Sequence, residues 1–123
     1  MFVEGAGCYI SSDASLGARL HFPHPVGIVI GEGVKVGNGC TIYQCTTLGR
    51  NKLTDKSYPT VGDDVVLYAG AVVIGEVKLG NGSVVGANSV VLSDVPAGSA
   101  AVGSPARIIA VDEPPKRKPS VGS

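Results

Sequence analysis

Aliphatic residues recur every six positions along the middle of this 123-residue chain, and this spacing limits the possible folds more than any other feature. An α-helix returns its apolar face about every 3.6 residues and a half-buried strand alternates about every two, so neither explains the period. The residue four positions after each aliphatic one, except after Leu48, is also small or β-branched. The aliphatic positions are Ile30, Val36, Ile42, Leu48, Val61, Leu67, Val73, Leu79, Val85 and Val91. A weaker, shifted copy covers Ile10, Leu16 and Phe22.

Glycine, asparagine and aspartate separate the aliphatic positions, and these residues tolerate the positive φ angles of tight corners. The corner triplets are 37–39, 62–64, 80–82 and 86–88. Each six-residue unit therefore predicts one short strand and one corner. Three units close a triangular coil, and coils stack about 4.8 Å apart. The fold class is thus all-β, a parallel β-helix in which each inward residue lies on its counterpart one coil later. A β-sandwich would need longer alternating strands, which the sequence lacks.

Two insertions interrupt the register, and they are the expected positions of a site, because a regular coil has few concave surfaces. Two extra residues lie between Phe22 and Ile30, in a segment that contains His24. Seven extra residues lie between Leu48 and Val61. The second insertion predicts a polar loop over residues 49–60 that leaves the prism.

We expect one domain over residues 1–110. The six-residue register ends at Pro96, so residues 96–110 are predicted to cap the last coil. Residues 111–123 are rich in proline, lysine and serine, which predicts a disordered tail.

Composition excludes several classes of function. Ten basic and ten acidic residues give no net charge, which argues against a nucleic-acid or membrane-surface partner. No apolar stretch reaches the roughly 20 residues of a membrane span, and no signal-peptide pattern follows Met1. Cys8, Cys40 and Cys45 form no C-x-x-C pair, which predicts buried reduced thiols in a cytoplasmic protein and no metal site.

Four motifs resemble the hexapeptide-repeat acyltransferases, and most closely the catalytic domain of serine O-acetyltransferase and its polysaccharide-modifying relatives. They read HPVGIVIGEGVKVG, TLGR, LYAGAVVIGEVKLGNGSVVGANSVVLSDVPAG and VGSPARII. The resemblance implies that the β-helix is left-handed and that the protein is a homotrimer. It also implies transfer of an acetyl group from acetyl-CoA to a hydroxyl group.

The resemblance assigns catalytic roles to three residues. His24 matches the general base, a role that suits imidazole because its neutral form is present at physiological pH. Pro23 and Pro25 are expected to stiffen the bend around it. Tyr9 stands where the family has the aspartate that orients the base, so either Tyr9 or a backbone carbonyl takes that role. Gly49 matches the backbone N–H donor of an oxyanion hole.

The acceptor-binding residues of the serine enzymes are not kept. The aspartate beside the catalytic histidine is Pro23, and the R-H-P element is Ser57-Tyr58-Pro59. A serine acceptor needs partners for its carboxylate and ammonium groups, which are costly to bury unpaired. We therefore predict an uncharged acceptor, a sugar or polysaccharide precursor, with serine as the alternative. The candidate acceptor-binding residues are His21, Tyr58 and Lys56. His21 is equally well explained as a surface histidine, and Tyr58 as a residue that covers the loop.

The coenzyme-binding residues are better matched. Ala69 and Ala87 correspond to two small residues, one coil apart, against which the family holds acetyl-CoA. Alanine also suits a corner without any ligand. Arg107 corresponds to a basic residue that reaches the phosphates, a contact well suited to a guanidinium group.

Two other classes of protein adopt the same three-sided β-helix. The γ-type carbonic anhydrases bind zinc through three histidines, whereas this chain has two, three positions apart. Ice-binding and scaffold β-helices display arrays of threonine, but the threonines here do not recur at the coil period. A non-enzymatic scaffold stays the alternative to an enzyme.

Overall fold

A computed structural model describes residues 7–50 and 57–109, which form a three-sided parallel β-helix of short strands. The first side contains β1 (Tyr9–Ile10), β3 (Val29–Ile30), β6 (Thr47–Gly49), β9 (Val72–Ile74) and β12 (Val90–Val91). The second side contains β2 (Ser15–Leu16), β4 (Lys35–Val36), β7 (Thr60–Val61) and β10 (Lys78–Leu79). The third side contains β5 (Thr41–Ile42), β8 (Val66–Leu67), β11 (Val84–Val85), β13 (Ala100–Gly103) and β14 (Ala106–Ile109).

The repeat positions form the core as the sequence predicts, because the second residue of most strands points into the prism. All ten aliphatic positions of the main register are at most 5% exposed. The described residues four positions later are buried as well, including the polar Thr46, Ser83 and Ser89. The shifted first coil is less complete, since Leu16 is 40% exposed and Phe22 is half-buried. Nothing packs below this coil within the described residues.

Contacts between adjacent coils confirm the positions and sizes of the two insertions. Partners in the regular part are 18 residues apart, as are the hydrogen-bonded Asp63 and Asn81. Partners that span the first insertion are 20 residues apart, as are Ala18 and Asn38. Partners that span the second insertion are 25 residues apart, as are Asn38 and Asp63. The paired strands of the second side show the same three separations. These are one regular coil of 18 residues, one coil plus the two-residue insertion, and one coil plus the seven-residue insertion.

Three edges join the sides, and each is a column of corner segments. The asparagine edge joins the second side to the third and contains residues 17–20, 37–40, 62–65, 80–83 and 96–99. The histidine edge joins the third side to the first and contains residues 23–28, 43–46, 68–71 and 86–89. The loop edge joins the first side to the second and contains residues 11–14, 31–34, 50, 57–59, 75–77 and 92–94 among those described.

Side-chain oxygens hold the asparagine edge together. The Asn38 Oδ1 accepts the Ala18 N–H at 2.8 Å, the Asp63 Oδ1 accepts the Asn38 N–H at 2.8 Å, and the Asn81 Oδ1 accepts the Asp63 N–H at 2.7 Å. The last residue of each predicted corner triplet has a positive φ, as in Asp64 at 57°. The corner chemistry read from the sequence is therefore confirmed.

Parallel pairing continues past Pro96, where the six-residue register of the sequence ends. Val95 pairs with Leu79, and β13 pairs with β11. Each of these separations is two residues shorter than a regular coil. Strand β14 then turns back antiparallel along β13. The predicted domain limits stay predictions, and Lys56, most of the loop 49–60 and the tail 111–123 lie outside the described residues.

The expectation of three buried thiols is wrong for one of them. Cys8 and Cys40 are buried, but Cys45 is exposed. It occupies a corner of the histidine edge with a φ of 59°, and this left-handed conformation turns its side chain outward from the prism. Its counterparts on the next two coils, Gly70 and Asn88, also have positive φ angles.

Candidate functional site

The first insertion forms a bulge that carries His24. On its near side, the Ile42 N–H donates to the His21 carbonyl at 2.9 Å. On its far side, the Cys45 N–H donates to the Val26 carbonyl at 2.8 Å. Four residues, 23–26, therefore stand opposite only two, 43–44, on the next coil. The extra length pushes the bend out of the regular corner.

Hydrogen bonds hold this bend in place on both sides. The Cys8 thiol donates to the Pro25 carbonyl at 3.1 Å, and the Val26 N–H donates to the His24 carbonyl at 2.7 Å. The latter bond closes a three-residue turn with proline at its centre, a position that its fixed φ suits. Gly27 follows with a φ of +68°. Among the described residues no side-chain hydrogen bond engages His24, which is exposed.

The two candidate coenzyme-binding alanines lie on the same edge as His24. The Gly70 N–H donates to the Gln44 carbonyl at 3.0 Å, and the Asn88 N–H donates to the Ala69 carbonyl at 2.9 Å. These hydrogen bonds stack the corner segments of the histidine edge into one column, which begins at the bend that carries His24. At about 4.8 Å for each coil, Ala69 lies about 10 Å above the bend and Ala87 about 14 Å above it.

Arg107 lies above the last coil, on the hairpin of β13 and β14. It pairs with Val102, and its side chain is exposed. The hairpin is anchored to the histidine edge, because the Gly103 N–H donates to the Ser89 Oγ at 2.9 Å. The histidine edge and the hairpin above it therefore carry four candidate residues in order of height. From the lower coils to the top these are His24, Ala69, Ala87 and Arg107.

The other two catalytic candidates lie on the first side. Tyr9 is 54% exposed, pairs with Val29 in the strand after the bend, and its N–H donates to the Ile28 carbonyl at 2.8 Å. Gly49 ends β6 at the opposite end of this side, paired with Ile74. The orienting role of Tyr9 and the oxyanion role of Gly49 stay predictions.

The acceptor candidates are divided between two parts of the prism. Tyr58 lies at the loop edge, half-buried against Gly31 and Gly33, where an added Cβ would collide with its ring. His21 is exposed on the outer face of the third side and pairs with Thr41. His24 and Tyr58 therefore stand at opposite ends of the first side.

Two features of the site were missed by the sequence reasoning. The Arg50 guanidinium carbon lies 5.9 Å from the centroid of the Tyr58 ring, within the range of a cation–π contact. Arg50 ends the TLGR motif, but the motif alone does not say which side chain it meets. The rings of Tyr43 and Tyr68, both on the histidine edge, stack with centroids 5.3 Å apart and an interplanar angle of 13°. Their separation in the sequence, one coil plus the second insertion, was the available signal.

The electrostatics of the described residues are simple. Burial is the main cause that raises the pKa of the Cys40 thiol above its usual range, assisted by the charges of Asp63 and Asp64. In residues 7–50 and 57–109, no group of three His, Cys, Asp or Glu side chains is arranged to hold a metal ion. The same residues include no helix with the length and hydropathy needed to cross a membrane.

Comparison with known proteins shows which proteins this chain resembles. The family model described as "Bacterial transferase hexapeptide (six repeats)" matches residues 58–93. The serine acetyltransferase of Mycobacterium tuberculosis is 42% identical over 109 residues, which make up 88% of this chain and 48% of that protein.

Solved structures agree with the sequence comparison. Soybean serine acetyltransferase complexed with serine has a TM-score of 0.79 at 42% identity, covering 81% of this chain and 42% of the soybean chain. A serine acetyltransferase in complex with CoA has a TM-score of 0.74 at 39% identity, covering 79% and 40% of the two chains. The chain thus spans about half the length of the curated relatives it matches. The chain is a left-handed parallel β-helix, similar in sequence and fold to about half of a serine acetyltransferase, and its residues 58–93 match a hexapeptide-repeat model.

Proposed function

We propose that this chain is the catalytic part of an acetyl-CoA-dependent O-acetyltransferase. The observation that carries the proposal is the single column of the histidine edge, which puts the bend with His24 below Ala69 and Ala87. Acetyl-CoA would lie along this column with its thioester near the bend and its phosphates near Arg107. The CoA complex of a similar protein supports this choice of donor.

In the proposed reaction the His24 imidazole accepts the proton of the acceptor hydroxyl as its oxygen attacks the thioester carbonyl carbon. The tetrahedral intermediate carries its negative charge on the former carbonyl oxygen, where the Gly49 N–H is the candidate donor. Collapse of the intermediate breaks the carbon–sulfur bond. The leaving thiolate then takes the proton from the imidazolium, so the products are the acetyl ester, CoA and neutral imidazole.

L-Serine is the acceptor that the comparisons support, ahead of the sugar that the sequence favours. The relatives are serine acetyltransferases, and one was solved with serine bound. The sugar stays the second candidate because of one specific observation, the replacement of the charged acceptor partners by Pro23, Ser57 and Tyr58. A competition between serine and sugars as acceptors decides between them.

We further propose that the working form is a homotrimer. His24 and Tyr58 stand at opposite ends of the first side, so a site that uses both needs a second copy. The outward positions of this side suit such a contact. They include the exposed Tyr9 and Val29 and the half-buried Val72 and Val90, whereas Lys35 and Lys78 project from the second side. A cytoplasmic location stays a prediction.

The test is a CoA-release assay with acetyl-CoA and serine, simple sugars or nucleotide sugars. We expect His24→Ala to lower turnover by about 10²- to 10⁴-fold, the usual contribution of general acid–base catalysis. His21→Ala removes the other imidazole, a candidate for acceptor binding and not for catalysis, and should lower turnover less than His24→Ala does. Near-normal turnover in the His24 variant would overturn the assignment of the base.

Two measurements test the rest of the proposal. Light scattering should give a mass three times that of the 12.4 kDa chain. Titration calorimetry should detect binding of CoA. Failure to bind CoA would instead favour the non-enzymatic scaffold.

A further inference from the structure

Among the residues that the structure describes, Arg50 of the loop edge has no anionic partner. No carboxylate of residues 7–50 or 57–109 lies within ion-pair distance of its guanidinium group, which instead contacts the Tyr58 ring. The side chain is only half-exposed. A guanidinium group that is partly withdrawn from water and unpaired is a favourable binding site for a carboxylate or phosphate.

The ring beneath Arg50 is held firmly. Tyr58 packs against the hydrophobic core and lies over Gly31 and Gly33, both of which lack a side chain that would displace it. The neighbouring Pro59 is buried, which fixes the chain where it returns to β7. Arg50 itself directly follows β6. Both members of the pair are therefore attached to the rigid prism.

The height of the pair on the prism matters more than its distance from His24 within one copy. Gly31 and Gly33 follow β3, which follows the His24 bend, so the Tyr58 ring packs against the coil that carries His24, although its backbone belongs to the next coil. In a trimer whose prisms run parallel to the threefold axis, equal heights meet. The loop edge of one copy can then face the histidine edge of its neighbour at the level of the base.

We propose that Arg50 binds a carboxylate of the acceptor, in place of the arginine that Ser57 replaces. The inference rests on the proposed function and deepens it by naming the acceptor class, a hydroxyl compound with a carboxylate. An opposite charge lies close by, since the Ser57 hydroxyl donates to the Glu76 carboxylate at 3.5 Å. Arg50 and Glu76 thus flank the dipeptide 57–58, an arrangement that suits the carboxylate and ammonium groups of an amino acid.

The phosphates of CoA are a poorer match for Arg50. They belong at the other end of the proposed donor column, near Arg107 and several coils above the bend. Within the acceptor class the carboxylate has two possible sources, an amino acid such as serine or a sugar acid. The relatives favour the amino acid.

The experiment compares the 123-residue protein with its Arg50→Gln variant on paired acceptors, one member of each pair with a carboxylate and one without. These are L-serine with L-serinamide and glucuronic acid with glucose. We expect the wild type to prefer the carboxylate member of one pair by about 10- to 100-fold in kcat/KM, the effect of hydrogen bonds to a charged group. The preferred pair identifies the source. The variant should lose most of this preference while its KM for acetyl-CoA is unchanged.

Two further variants separate acceptor binding from a merely structural role. Arg50→Lys should restore part of the preference, because it keeps the charge but not the planar fork. Arg19→Gln is the matched control, since it removes an exposed arginine from the asparagine edge and should leave the preference intact.

The possible failures are distinguishable. No acetyl transfer to any hydroxyl by the wild type would refute the proposed function itself. Equal rates for the members of both pairs in the wild type would overturn the role of Arg50, even if the Arg50→Gln protein did not fold. So would an Arg50→Gln enzyme that folds and keeps the full preference.

Discussion

Replacing Gly27 by alanine tests whether the bend positions the base, and the structure provides a matched control. Gly27 has a φ of +68°, and Gly82, on the asparagine edge, has a φ of +70°. An alanine Cβ at residue 27 would lie 3.1 Å from the Cys45 Sγ, whereas at residue 82 it would meet nothing within 4 Å. Both variants therefore carry the same backbone penalty, and only one disturbs the bend.

The magnitudes follow from these contacts. A left-handed φ costs an L-residue about 1–2 kcal/mol. Replacing glycine by alanine also lowers the conformational entropy of the unfolded chain, which offsets about 0.4–1 kcal/mol of this cost. Gly82→Ala should therefore destabilise by about 0.5–1 kcal/mol. Gly27→Ala should cost on the order of 0.5–1 kcal/mol more, because crowding of this kind forces small shifts of the neighbour or the backbone. The Pro25 and Val26 carbonyls are both bonded, which limits how far the bend can relax.

The assay combines urea unfolding at equal protein concentrations with turnover of acetyl-CoA. Because small displacements of reacting groups are costly, we expect Gly27→Ala to lower kcat by about 10-fold or more. Gly82→Ala should retain more than about half of the wild-type kcat, since it lies away from the histidine edge. Equal kcat values for the two variants would refute the claim that this bend positions the base. Equal stabilities would refute the estimated cost of the Cys45 contact.

Two further predictions concern the fold and the thiols. Leu67→Ala should lower the free energy of unfolding by about 2–5 kcal/mol, since Leu67 is fully buried, whereas Leu92→Ala, at a side chain 58% exposed, should change it by at most about 0.5 kcal/mol. Similar urea midpoints for the two variants would contradict the assigned core. A thiol reagent should label Cys45 first in the native protein and Cys8 and Cys40 only after unfolding. Burial raises the pKa of the Cys40 thiol, so it forms less of the reactive thiolate at a given pH, and equal labelling rates would contradict this prediction.

The fold was readable from the sequence because a β-helix is quasi-one-dimensional. Each coil contacts only its neighbours, so the spacing of inward residues along the chain directly reflects their stacking in space. This is why the breaks at Phe22 and Leu48 gave the pairing separations correctly. It also explains why residues one coil apart, such as Ala69 and Ala87, were placed in one column.

Contacts that involve the insertions were not readable in this way. A residue count shows how long an insertion is, but not what its side chains meet. The sequence suggested Lys56, which lies outside the described residues, as the cation near the acceptor, and it gave no sign that Arg50 meets the Tyr58 ring. Cys45 was assigned to the interior from its residue type, but its corner has a positive φ and leaves the thiol exposed.

The sequence by itself determined the three-sided coil, its core and the two places where the coil is interrupted, because all of these depend on a local six-residue period. Only the tertiary structure decided that His24 and Tyr58 stand at opposite ends of one side, and that the Arg50 guanidinium lies beside the latter. Those facts depend on where each insertion falls around the prism and on which side chains it packs against. A periodic pattern carries no information about either.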